Sequence, residues 1–250
     1  MTASTAHPTG PAAEDTGGDG PVAPARAGRV VVALLLAAVV CSINVTVAAV
    51  AVPAIGSEFD AAQTALNLVS LGTGLGLSLS VLYLGAVADR YGRKQMLVTG
   101  VSLTIVASVL SALAPSVELL IAAQVFVGVA GGMAFPTTLS LITALWSDGP
   151  RRTGVIALWS SFASMASVLV AVLAGLALVV LDWRAVFLIS VPLAVVALGF
   201  IVPFVPSHVG ESRERVDHLG GVLSVVALGA IVLGIGLAFD EAAALFVAGH

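Results

Sequence analysis

Charge is what this sequence has least of. Only 10% of its 250 residues are Asp, Glu, Lys or Arg, against a hydrophobic share of 59%, and the mean hydropathy is +1.11. A chain so poor in charge cannot dress a folded surface for water, which excludes a water-soluble globule. The basic residues never gather into a patch of the kind that grips phosphates, so no nucleic acid is expected as a partner. Cysteine occurs once, at Cys41. That excludes a disulfide framework and a cysteine-ligated metal site, and inside an apolar run Cys41 reads as a small buried side chain. Nucleophile elbow, phosphate loop and His/Asp/Cys cluster are all missing, so no catalytic residue, cofactor or metal ligand is assigned and the chain is not read as an enzyme. His208 and His218 stand among acids without metal-ligand spacing.

What the sequence has instead is long apolar runs. A bilayer core roughly 30 Å thick takes about 20 residues of helix, and runs of that order lie near Val30 to Val52, Ala65 to Ala88, Gln95 to Leu113, Leu119 to Leu141, Gly154 to Leu181, Ala185 to Val205 and Leu219 to Phe239. Backbone amides in hydrocarbon must satisfy one another, and the alternation of a barrel strand is missing, so each run is expected to be a helix. The fold class is all-α, a polytopic membrane helix bundle with the lipid bilayer as its surroundings.

Lysine and arginine resist translocation and so orient such a bundle. Arg26 and Arg29 precede the first run; Arg90, Arg93 and Lys94 follow the second; Arg151 and Arg152 follow the fourth; Arg213 and Arg215 follow the sixth. The opposite loops carry Glu58, Asp60, Glu118, Asp182, Asp240 and Glu241, with Arg184 as their one basic residue. The basic loops and the N-terminus are therefore expected in the cytoplasm of a plasma membrane. Residues 1–27, rich in Ala, Gly, Pro and Thr, read as a disordered cytoplasmic tail. Residues 28–205 form a six-helix bundle, 206–218 a cytoplasmic loop, and 219–250 a seventh helix with the opening turns of an eighth that is cut short.

The loop between the second and third runs reads Gly-Ala-Val-Ala-Asp-Arg-Tyr-Gly-Arg-Lys from Gly85 to Lys94. Gly85 would allow close helix contact, Gly92 a tight turn, and Asp89 can accept charge-assisted hydrogen bonds from neighbouring arginines. This loop resembles the signature of the major facilitator superfamily, with Val87 at the usual leucine. The resemblance implies a six-helix N-terminal transporter domain in which Gly85, Asp89, Arg90, Gly92, Arg93 and Lys94 form a gating latch on the cytoplasmic side. The segments Pro136 to Ser140, Trp159 with Ser160, and Trp183 to Pro192 are similar to the fourteen-span drug:proton antiporters, the pumps of quaternary ammonium compounds. The short link to a seventh run favours fourteen spans over twelve, and the resemblance implies a bacterial source.

The helices depart from that family where its chemistry sits. In the first run Asn44 and Ala49 stand where the family has an acid and an asparagine, while Thr46, Ala51 and Pro53 are kept. The fourth run has the neutral stretch Gln124 to Gly128 where the family has an arginine. A lone charge at mid-membrane costs roughly 2.5 to 3.5 kcal/mol on insertion scales, so losing both avoids stranding either. In the fifth run Val170 and Ala171 replace a Gly-Pro kink and only Gly175 is kept, so that helix is expected to be straighter and less closely packed. The glycines Gly72, Gly74, Gly76, Gly128 and Gly132 suit close helix approach.

No Asp, Glu, Lys, Arg or His lies deep in any run. A substrate cavity is expected from Asn44, Thr46, Gln124, Gly128 and Trp159, with Phe126, Phe162 and Trp159 as aromatic contacts. The expected function is secondary transport of a small-molecule solute such as a lipophilic drug, multidrug efflux by alternating access, completed by a missing C-terminal half or a second chain. The alternative on the same residues is a truncated or transport-dead relative, inactive or acting as an interaction protein.

Overall fold

The computed structural model describes residues 24–146, 149–207, 219–221, 223–227 and 229–230, all-helical apart from short turns. The tail before Pro24, the loop 208–218 and most of the seventh span expected at 219–239, with the start of an eighth, lie outside the described residues. Six described helical stretches are long and apolar enough to cross a membrane.

Helix α1 runs Pro24–Phe59, α2 Gln63–Tyr91, α3 Arg93–Ala112, α4 Val117–Leu145 and α5 Gly149–Val180. The 36 residues of α1 extend about 54 Å at 1.5 Å per residue, well beyond the bilayer core, so both its ends project into the headgroup layers. There they carry Arg26 and Arg29 at one end and Glu58 at the other.

The sixth span is not one helix. It divides into α6, Trp183–Phe187, and α7, Ser190–Phe204. The cause is Pro192, which has no N–H for the Leu188 carbonyl and whose ring crowds it. That carbonyl instead accepts from the Val191 amide, and Leu188 and Ile189 likewise bond three residues back, to Ala185 and Val186. The result is a tight corner rather than a continued α-helix.

The broadest contacts are α2 with α4 and α3 with α4, followed by α1 with α5 and α7. The α2–α4 crossing depends on missing side chains. A Cβ at Gly128 would fall on the Thr73 carbonyl, one at Gly76 on the Val125 carbonyl, and one at Gly72 would meet the Gln124 Cβ at 2.9 Å. Gly74, two residues round the helix from this seam, faces open space among the described residues. So does Gly85, which makes no close helix contact there; it lies more than one turn beyond Ser80, where the close approach to Gly132 ends.

Two apolar clusters fill the bundle. One, at the Arg93 end, joins Val30, Leu34, Leu97, Val101, Leu141, Leu145 and Ile201. The other, at the Glu58 end, joins Val47, Ile55, Val69, Leu120, Val170, Ala174, Trp183 and Phe187. Helix α5 runs unbroken for 32 residues, with its one proline, Pro150, in the first turn, where the missing N–H breaks no helical bond. Its contact with α1 is made through buried Val170 and Ala174, where a branched side chain fills the seam. Gly175 faces open space among the described residues. The rest of α5 presents Met165, Val168, Leu169, Val172, Leu176 and Val179 outward.

Candidate functional site: a latch and a hydroxyl-lined cleft

Between α2 and α3 the chain turns on Gly92 alone, at φ 104°. That is the left-handed region where a Cβ is strained. The turn brings Asp89, on the last turn of α2, beside Arg93 on the first of α3. Arg93 donates to one carboxylate oxygen of Asp89 from Nε at 3.1 Å and from a terminal nitrogen at 2.9 Å. Its other terminal nitrogen reaches the Ser140 carbonyl of α4 at 3.1 Å. Lys94 donates to the Val202 carbonyl of α7 at 2.8 Å. The loop therefore ties α2, α3, α4 and α7 together at one end of the bundle. Arg90 lies over the exposed Tyr91 ring, 5.7 Å from its centroid.

Asn44 and Gln124, the two neutral replacements, are buried among helices. Asn44 donates to the Val40 carbonyl at 2.8 Å, and its side-chain oxygen accepts from Ser108 at 3.0 Å and Ser190 at 3.3 Å. This fastens α1 to α3 and to the first turn of α7. The Gln124 oxygen accepts from Thr73 at 2.9 Å, and its nitrogen donates to Ser111 at 3.1 Å. This fastens α4 to α2 and α3. With Gln124 at 1% exposure and Asn44 at 5%, both amides spend their hydrogen-bonding capacity on the bundle, as buried polar groups must. Gly128 lies in the α2–α4 seam, and Thr46 bonds back along its own helix to Ser42 at 3.2 Å.

Among the described residues, Trp159 of the five expected cavity residues lines an open cleft of about 250 Å³ between α1, α4 and α5. Its other walls are Ser42, Phe135, Ser160, Ala163, Ser164 and Ser167. The Trp159 indole donates to the Thr138 hydroxyl at 2.9 Å and packs against Phe135 at 4.8 Å between ring centroids, which fixes the pair as one aromatic wall. Ser160, Ser164 and Ser167 had a signal that went unread: spacings of four and three put them on one face of a helix. Their partners Ser42 and Phe135 come from other helices and had none.

At the opposite end a second cluster closes the bundle. The Trp183 indole donates to a Glu58 carboxylate oxygen, Arg184 pairs with Glu58 at 2.8 Å, and the guanidinium stacks over the Trp183 ring at 4.4 Å.

Six apolar crossings held by glycine seams, amide staples and a charged loop define a polytopic helical membrane bundle. The chain belongs to the Major Facilitator Superfamily, whose family profile matches residues 34–248. It is 34% identical over 232 residues to the multidrug efflux pump LfrA of Mycolicibacterium smegmatis, covering 90% of this chain and 46% of that protein. It is 40% identical over 167 residues to a triacylglyceride transporter of Mycobacterium tuberculosis, covering 64% of this chain and 32% of that protein. The chain thus spans less than half the length of these curated relatives. Among solved structures, the peptide transporter POT in complex with sulfate shares its fold at a TM-score of 0.66 and 16% identity, over 84% of this chain and 46% of that one. The inward open xylose transporter XylE from E. coli does so at 0.63 and 17%, over 84% and 54%.

Proposed function

We propose that this chain supplies the N-terminal bundle of a fourteen-span exporter that moves lipophilic small molecules across the cell membrane by alternating access. Its basic loops lie in the cytoplasm. The observation that carries the reading is the cleft beside Trp159, walled by α1, α4 and α5, which opens next to the outward apolar face of α5, where a second bundle would close it. The latch around Asp89 and Arg93 ties one end of the bundle into a rigid unit, as rocking of one bundle against another requires. One named relative is a multidrug efflux pump and the other a transporter of triacylglycerides, which are lipophilic.

The test is efflux of a fluorescent lipophilic dye from a pump-deficient bacterium expressing the complete reading frame. Export is expected to exceed the empty-vector control and to fall when Trp159 becomes Ala. Export equal to the control would overturn the reading in favour of a transport-dead relative. Collapsing the proton gradient is expected to stop export; export that continues unchanged excludes antiport.

A further inference from the structure

The hydroxyls of the cleft are not equivalent. Ser42 donates to the Ala38 carbonyl at 3.0 Å and Ser167 to the Ala163 carbonyl at 3.1 Å. The Trp159 N–H is engaged with Thr138. Ser160 and Ser164, one turn apart on α5, make no hydrogen bond within the described residues and stand exposed to the cleft. Two adjacent hydroxyl donors beside a fixed aromatic wall are therefore open to a ligand, whereas the neighbouring donors are already spent.

Charge is missing from the same wall. The acids of the described residues, Glu58, Asp60, Asp89, Glu118 and Asp182, all sit at or near helix ends, and none lines the cleft. A cation entering it would lose hydration and gain only an aromatic face that Phe135 and Trp159 partly cover for each other. An uncharged solute with carbonyl or ether oxygens loses little and gains two hydrogen bonds.

We propose that this wall is a binding site for uncharged lipophiles bearing hydrogen-bond acceptors, such as esters, with Ser160 and Ser164 as the donors and the Phe135–Trp159 pair as the platform. The proposal rests on the transporter reading above and assigns its substrate class. It sets this chain apart from pumps that select permanent cations.

The experiment uses the protein from its complete reading frame in lipid nanodiscs and three probes built on one pyrene, a fluorophore that carries no hydrogen-bond acceptor oxygen of its own. One carries an octanoate ester, one a trimethylammonium group on a chain of equal length, and one a plain alkyl chain. Binding is read by energy transfer from tryptophan. Ester binding is expected to weaken about ten-fold in the S160A/S164A double variant, with ammonium and alkyl binding unchanged. Alanine at exposed helix positions favours the helix, so the variant is expected to fold. Ester binding that survives the double substitution overturns the proposal, as does an equal loss for all three probes. Dye export that persists while the ester effect is missing sinks this assignment and leaves the transporter reading standing; no binding and no export sinks both.

Discussion

Lys94 donates to the carbonyl of Val202 at 2.8 Å, taking the place of a backbone N–H that Pro206 lacks. In an α-helix the Val202 carbonyl would accept from residue 206, and a proline there leaves it open. The ammonium of α3 thus caps α7 across 108 residues of sequence. A charge-assisted bond of this kind is worth roughly 1.5 to 3 kcal/mol when shielded, and this one is exposed, so Lys94→Ala is expected to cost only about 1 kcal/mol. In a Pro206→Ala background, where the amide is restored, the cost should largely vanish. Thermal unfolding in detergent of the wild type, both single variants and the double variant measures it; an equal penalty in both backgrounds would refute the cap.

The α2–α4 seam makes a sharper prediction. Gly128→Ala places a methyl against the Thr73 carbonyl, which is backbone and cannot swing aside. Overpacking of this kind costs about 1 to 3 kcal/mol, and Gly76→Ala should behave alike. Gly74→Ala and Gly85→Ala meet nothing within 4 Å and are expected to be neutral or slightly stabilising through helix propensity. Expression and melting temperature of the four variants sort them, and a destabilised Gly74→Ala would show that the seam is misassigned.

The crossings, their order and the turn at Gly92 were legible in the sequence because each is a local signal: an apolar run of bilayer length, or a glycine between basic residues. The division of the last crossing was legible in Pro192 and went unused, since an apolar run of suitable length hides a corner. What could not be read was pairing. Asn44 and Gln124 announced themselves as neutral residues in place of family charges. Whether they faced a cavity or a neighbouring helix depended on Ser108, Ser190, Thr73 and Ser111, which lie 13 to 146 residues away. Likewise Trp159 was visible, but its partner Phe135 comes from another helix.

Gln124 is expected to act as a staple. Gln124→Leu removes both bonds and leaves Thr73 and Ser111 facing an apolar chain. Ser111 can still donate to the Ala107 carbonyl at 2.9 Å, so the loss concentrates on Thr73, at about 1 to 3 kcal/mol for a buried polar group left unsatisfied. Adding Thr73→Val should recover part of that loss, because an apolar pair of similar shape needs no bond. Unfolding of the single and double variants reads this directly, and a double variant worse than the sum of the singles would overturn it.

At the other end, Glu58 and Trp183 separate charge from packing. The Arg184–Glu58 pair has side chains 34% and 37% exposed, so screening by water keeps its contribution small. Trp183 is 3% exposed and touches Phe59 and Phe187 edge to face at 5.9 Å. Glu58→Gln keeps an acceptor for the indole and should be nearly silent in stability. Trp183→Ala opens a cavity at the start of α6, between Phe59 and Phe187, at a cost of about 3 to 5 kcal/mol. Trp183→Phe keeps the ring contacts while leaving Glu58 only Arg184, and should fall between the two. Melting temperatures at low and high salt complete the test. The Glu58→Gln difference should shrink with salt and the Trp183→Ala difference should not, whereas a salt-sensitive Trp183→Ala would mean that charge, not packing, holds this end of the bundle.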